Sequence, residues 1–196
     1  MTIQSIFNWL RPSTSKTCGC TAEDGKILQQ QTGAIEKQAS IFAIMALQAK
    51  YFELIDLMEN KDSARPTATE LVDQLFSEEA TWTKKENDGE DTHFSGEDGM
   101  LKFAQWLESI GSEGLYIKHV GLNPQIDIIG DTATSKESLL VFFSDRNSNI
   151  NTLAIAEYDD VLVKNAQGHW RFKSRTLRLN DMTKWPVICS QIEKPS

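Results

Sequence analysis

Residues 34–58 place the tightest constraint on what this chain can fold into. Ile44, Leu47, Tyr51, Leu54 and Met58 recur at steps of three and four residues, the spacing of one helix face. Met45, Phe52 and Ile55 widen that stripe until the helix is apolar over much of its circumference. Such a helix is stable only when other elements wrap around it. The spacing predicts a helix from about Ala34 to Met58, and the rest of the chain must supply a concave partner for it.

The remaining patterns say what that partner is. Thr67-Ala68-Thr69-Glu70 has the form of a capping box and opens a second helix running to about Phe76. The period then shortens to two over Ala80–Lys85. Asn87-Asp88-Gly89 is a turn signal, and Asp91–Phe94 is a short return strand. Ser95 caps a third helix, apolar at Met100, Leu101, Phe103, Ala104, Leu107 and Ile110, and Gly111 stops it. Five strand-like runs follow: Leu115–Leu122, Gln125–Ile129, Thr132–Ser144, Ile150–Lys164 and His169–Leu179. The turns between them, at Gly130-Asp131, Asp145–Asn149 and Asn165–Gly168, are too short for parallel crossovers, so consecutive strands are expected to be antiparallel. Helices first and a sheet after them make the class α+β, with three helices from the N-terminal half packed on an antiparallel sheet. The expected organisation is a flexible N-terminal arm over 1–33, one domain over 34–180 and a C-terminal tail over 181–196.

Charge and composition narrow the partners. Twenty Lys and Arg against 28 Asp and Glu give the 196-residue chain a net charge of −8. An acidic chain repels phosphate backbones and anionic membrane surfaces, so no nucleic acid is expected. No run approaches the roughly 18 apolar residues of a membrane span. Cys18, Cys20 and Cys189 are too few for a disulfide scaffold, and Cys18-Gly-Cys20 lacks a second ligand pair. The N-terminus has no continuous apolar segment of the secretory kind, so the expected compartment is the cytoplasm. The first 22 residues, rich in Ser and Thr and free of acids, would also suit an organelle transit peptide. The histidines lie far apart without metal-ligand spacing, and there is neither a glycine-rich phosphate loop nor G-x-S-x-G, so no metal and no cofactor is expected.

Four segments in order carry a resemblance to a known family: Tyr51-Phe-Glu-Leu-Ile-Asp56; Leu75-Phe-Ser-Glu-Glu-Ala-Thr-Trp82; His119-Val-Gly-Leu-Asn-Pro-Gln-Ile-Asp-Ile-Ile-Gly-Asp-Thr-Ala133; and Tyr158-Asp-Asp-Val-Leu-Val-Lys164 with Gly168-His-Trp-Arg-Phe-Lys-Ser-Arg175. Together they resemble the SnoaL-like group of the nuclear-transport-factor-2-like superfamily, over roughly residues 35–180. The resemblance implies a cone, in which a long helix and two shorter ones lie against a strongly bent sheet with a pocket at the open end. The superfamily hosts cyclases, dehydratases, isomerases and epoxide hydrolases, and also domains that only bind or only dimerise, so fold alone does not choose among them.

Four residues are the candidates for chemistry. Asp56 lies in an apolar helix stretch, where desolvation raises a carboxyl pKa and suits it to acid–base work; the alternative is a structural carboxylate bound to backbone N–H groups or to an Arg such as Arg175. Tyr51 could donate to a substrate oxygen or be core. It lies five residues from Asp56, about 140° round the helix, so the two converge only if a pocket wraps the helix. His119 shares a strand face with Ile117 and Gly121, opposite Tyr116, Lys118 and Val120, and is either a proton shuttle or a core histidine. Arg175 either points outward with its strand neighbours or is an inward cation that pairs with Asp56 or holds a substrate oxyanion. In family members that act as dehydratases or cyclases, a Tyr, an Asp, a His and an Arg at about these places build the site. Some dehydratases add an acid in the strand that here reads Leu139-Leu-Val-Phe-Phe143, which is apolar. His93 and His169 read as surface residues, and Trp82, Trp106 and Trp170 as core or pocket wall.

The resulting expectation is a cofactor-free lyase or isomerase, of cyclase or dehydratase type, acting on a small apolar oxygenated molecule. The alternatives are a non-catalytic small-molecule-binding domain and a dimerisation domain. Ala133, Leu139, Val141 and Phe143 share one strand face while Leu140 and Phe142 share the other. Both faces are therefore apolar near the strand end, and a homodimer through the sheet is expected.

Overall fold

A computed structural model describes residues 22–86, 89–111, 115–145 and 150–179. The expectations for residues 1–21, including Cys18 and Cys20, for Asn87 and Asp88, and for the tail with Cys189 lie outside the described residues. Among these residues three helices, α1 (Ala22–Glu59), α2 (Ala68–Leu75) and α3 (Gly96–Ile110), accompany six strands. The strands are β1 (Phe76–Lys85), β2 (Thr92–Ser95), β3 (Leu115–Ile129), β4 (Thr132–Asp145), β5 (Ile150–Lys164) and β6 (Trp170–Leu179).

Two compact units divide the chain, one ending at Lys37 and one beginning at Gln38. The described part of the first is helical from Ala22, ahead of the Ala34 expected from periodicity. Its described side chains are exposed, including Ile27, Leu28 and Ile35, so among them no buried face produces a helical period. Good helix formers such as Gln, Lys and Leu favour the helix there by propensity.

In the second unit the strands form one sheet in the order β2-β1-β6-β5-β4-β3. All consecutive paired strands are antiparallel, as their short connections require. One pair corrects the all-antiparallel expectation: β1 runs parallel to β6, with Trp82 opposite Arg175. These strands are far apart in sequence, so turn length places no restriction on their direction. The two runs expected at 115–122 and 125–129 are a single strand, β3, whose register shifts between Leu122 and Gln125. Asn123, at φ 51°, sits in that shift just before Pro124. Shifts also occur in β1 and near Val161, and such irregularities bend a strand.

The core joins the C-terminal half of α1 to the inner sheet face. Ile44, Tyr51, Leu54, Ile55 and Met58 pack with Leu71, Leu75, Trp82, Phe103, Leu139, Leu162 and Phe172. Each large apolar side chain so buried contributes about 1.5–3 kcal/mol. The capping box at Thr67 and Glu70 forms as expected. Ser95 is the N-cap of α3 by position but makes no side-chain cap bond. Gly111 ends α3 with an ordinary φ of −64°. Its small size matters for another reason: a Cβ there would lie 1.8 Å from the Glu59 carbonyl oxygen, so glycine lets the ends of α3 and α1 meet.

Candidate active site

Asn60, just past the end of α1, fixes the helix to the edge strand β3. Its Nδ2 donates to the Asp56 carbonyl at 2.7 Å and to the Ile117 carbonyl at 2.7 Å, while its Oδ1 accepts from Ile117 N–H at 2.7 Å. The side chain thus acts as a strand partner for β3 and caps α1 at once. This brings Asp56 against residues 118 and 119.

Asp56 accepts three hydrogen bonds there. Oδ1 takes the His119 backbone N–H at 3.0 Å and the His119 ring Nδ1 at 2.8 Å; Oδ2 takes Lys118 Nζ at 2.6 Å. A carboxylate can only accept, so the bond at Nδ1 assigns the proton to that nitrogen and leaves the Nε2 lone pair free. The Phe52 ring lies parallel to the imidazole, 6.2 Å between centroids. Lys118 was placed on the opposite strand face by alternation. Because β3 is an edge strand, its long side chain can still reach Asp56, and the ammonium remains half exposed.

The Arg175 pairing considered for Asp56 is not formed. Arg175 is fully buried and pairs instead with Glu137 Oε2 at 3.1 Å and with Asp160 Oδ1 at 3.5 Å. Its guanidinium carbon lies 4.0 Å from the Tyr51 ring centroid and 3.8 Å from that of Tyr158. The inward cation is therefore held by aromatic faces as well as carboxylates. Tyr51 is equally interior: its hydroxyl accepts from Trp82 Nε1 at 3.0 Å and lies 3.3 Å from the Tyr158 hydroxyl. Burial pushes the Tyr51 phenol up to about 12, keeping it neutral. His93 and His169 are exposed, as expected for surface residues.

A cleft of about 350 Å³ opens between α1 and the β3–β4 pair. Met45, Gln48, Phe52, Lys118, His119 and Glu137 are among its walls. Of the four residues singled out in the sequence only His119 lines it; Asp56 stands behind His119, and Tyr51 and Arg175 lie deeper. Larger depressions of about 610 and 800 Å³ elsewhere do not reach His119.

Three residues of this region were not singled out in the sequence. Lys118 is one. Glu59, three residues after Asp56, is the second: it is 5% exposed and its Oε2 lies 3.7 Å from His119 Nδ1 with no hydrogen-bond partner. Desolvation, reinforced by the Asp56 charge, pushes the Glu59 carboxyl up to about 8. Glu137 is the third. Burial pushes it up to about 7, against the lowering effect of Arg175. Its signal was present, since Glu137 has the same strand parity as Ala133, Leu139 and Val141, all inward. Asp56, Glu59 and His119 each place one ligand atom within 4.8 Å of the others, a set that could hold a metal ion. Lys118 already supplies positive charge at that point.

The sheet thus packs on the C-terminal half of α1, and a His–Asp pair stands at a small cleft beside it. The SnoaL-like domain family matches residues 37–176, and the chain belongs to that family. No curated protein sequence matches it. Solved structures share the fold. A Novosphingobium aromaticivorans protein assigned as a scytalone dehydratase is 23% identical, with TM-score 0.58, over 74% of this chain and 86% of that one. A type 2 hexachlorocyclohexane dehydrochlorinase, LinA, is 19% identical, with TM-score 0.57, over 75% and 89%. A Catenulispora acidiphila protein solved with S-DNPA is 16% identical, with TM-score 0.57, over 74% and 97%.

Proposed function

We propose that this protein is a cofactor-free lyase or isomerase, and that His119 moves a proton at the carbon of a small, largely apolar, oxygenated molecule held in the cleft. The observation that carries this reading is the His119 Nδ1 to Asp56 Oδ1 bond at 2.8 Å, together with the position of the ring on the cleft wall. Asp56 holds the imidazole in one tautomer and stabilises the imidazolium that forms, so Nε2 is the base. Phe52, Met45 and Ala49 supply apolar walls, and Lys118 is a cation on the same surface. The family, and neighbours of the same fold that are a dehydrochlorinase and a protein assigned as a dehydratase, support the same class. A cleft of about 350 Å³ is at the small end of ligand sites, which run from roughly 300 Å³ upward.

The test needs no natural substrate. Aromatic and alicyclic ketones in deuterium oxide, followed by proton NMR, should show exchange of protons α to the carbonyl in the wild type. His119→Gln should lower that exchange by about 10²–10⁴, the usual worth of one acid–base group. Equal exchange by the two proteins would refute the reading and favour a binding domain.

The assembly proposed is a homodimer through the outer sheet face. Phe142 is 46% exposed and pairs in register with Leu153, 39% exposed; Tyr116 and Leu122 on β3 extend the patch. An apolar group of this kind is normally covered. Sedimentation at micromolar concentration should give the mass of a dimer, and a monomer would overturn the proposal.

A further inference from the structure

Two side chains of opposite competence face the same cleft, and each is backed by a buried partner. His119 is backed by Asp56. Glu137 is backed by Arg175, whose Nη2 donates to Oε2 at 3.1 Å. The other carboxyl oxygen, Oε1, lies against the backbone of Gly121: a Cβ added to that glycine would sit 2.2 Å from Oε1 and 2.4 Å from Phe52 Cε2. Gly121 belongs to the cleft wall and lies two residues along β3 from His119. The glycine therefore clears the space through which Oε1 reaches the cleft beside the imidazole.

We propose that Glu137 is the proton donor that works opposite His119, and that the reaction is elimination of a hydroxyl group β to a carbonyl. This rests on the proton-transfer reading of His119. Two features of Glu137 fit the role of a donor. Its Oε2 is fixed by a cation that cannot itself give up a proton, so the transferable proton belongs on Oε1. Burial also holds the carboxyl up to about 7, so a large share of it carries that proton near neutral pH. The charged groups facing it are Arg175 from β6, Asp160 from β5 and, across the cleft, Lys118 and Glu53.

The step balances without a co-reactant. His119 Nε2 takes the proton on the carbon next to the carbonyl, and the C–H electron pair becomes the new C=C bond. The C–O bond to the β-hydroxyl breaks with its electron pair, Glu137 Oε1–H protonates the departing oxygen, and water leaves. His119 then carries an extra proton and Glu137 lacks one; transfer through solvent restores both. A donor is required because hydroxide is a poor leaving group, whereas a halide departs without one. The pairing of base and acid therefore points to an alcohol, not a halide, as the group expelled.

The test uses a matched pair of probes: 4-hydroxy-4-phenylbutan-2-one and its 4-chloro analogue, each giving the same conjugated enone, followed by ultraviolet absorbance. The wild type should form the enone from both. His119→Gln should lose both reactions. Glu137→Gln, whose side-chain carbonyl can still accept from Arg175, should lower the ratio of hydroxyl to chloride elimination by about 10²–10⁴. Glu137→Asp should restore part of that ratio. An unchanged ratio in a folded Glu137→Gln protein would overturn the assignment of Glu137 and leave the His119 reading standing. Failure of the wild type on both probes, with no ketone exchange, would instead overturn the His119 reading itself.

Discussion

Glu59→Gln isolates the energetic effect of a buried carboxyl next to the candidate base. Glu59 is the last residue of α1, at the negative end of the helix dipole, and is 5% exposed. Burial, reinforced by the like charge of Asp56 on the same helix, pushes the Glu59 carboxyl up to about 8 against about 4.3 for a free side chain. Below about pH 4 both folded and unfolded chains hold the proton. Between there and about pH 8 the unfolded chain has lost it while the folded chain keeps it. The folded state then binds more protons, so stability falls as pH rises through this window, by about 1.4 kcal/mol for each pH unit. Over the whole window the loss is on the order of 5 kcal/mol, and above about pH 8 it stops growing. Glutamine fills the same space and does not titrate. The difference in stability, Glu59→Gln minus wild type, should therefore be small at pH 4.5, widen toward pH 8 and then level.

Urea unfolding between pH 4.5 and pH 9 measures this difference directly. Glu137, pushed up to about 7, and Asp160, also raised by burial, tilt both curves the same way and cancel in the difference. The charges near Glu59 that could disturb the cancellation are Asp56, Lys118 and His119, which are common to both proteins. Parallel curves, or a gap that narrows as pH rises, would refute the assignment of Glu59 as a neutral buried acid.

Two further substitutions probe the same region. Asp56→Asn should change the melting temperature little, because its cationic partner Lys118 is half exposed and rehydrates, while ketone exchange falls by about 10²–10⁴; a loss of about 3–5 kcal/mol in thermal unfolding would mean that a buried charge had been stranded. Gly121→Ala should cost about 1–3 kcal/mol by overpacking against Glu137 and Phe52 and should reduce ligand uptake in the cleft, both measurable by thermal shift; an unchanged melting temperature would refute the close packing there.

Elements whose signal is local were legible in the sequence: the helical stripe of α1, the capping box at Thr67, the strand alternation of β4 and the short turns that force antiparallel neighbours. The parallel β1–β6 pair was not, because nothing within either strand encodes the direction of a partner so distant along the chain. The site divided the same way. Asp56 and His119 were legible singly, as polar residues within apolar patterns. Their mutual bond depends on Asn60 splicing the helix end to an edge strand, which no period reports. Glu137 carries the inward parity of β4, but a single acid ahead of an apolar run reads as a strand-end charge unless the partner cation from β6 is known.

The four residues expected to share one pocket instead divide by depth, and the division follows from charge and packing. Arg175 lies among Tyr51, Tyr158, Phe172, Glu137 and Asp160, so the space nearest β5 and β6 is filled by the protein's own cation. Removing such a charge from water is costly unless it is paired, and Asp160, the Glu137 carboxyl and the aromatic faces provide that pairing. Under the proposed function a ligand is thereby kept to the cleft between α1 and β3–β4, which His119 and Glu137 line. Arg175 and Tyr51 then act through what they hold rather than through what they touch. Arg175 fixes one oxygen of Glu137 and leaves the other toward the cleft, and Tyr51 stacks on Arg175 while bonding to Trp82. In the proposed reaction the buried cation orients Glu137 as Asp56 orients His119.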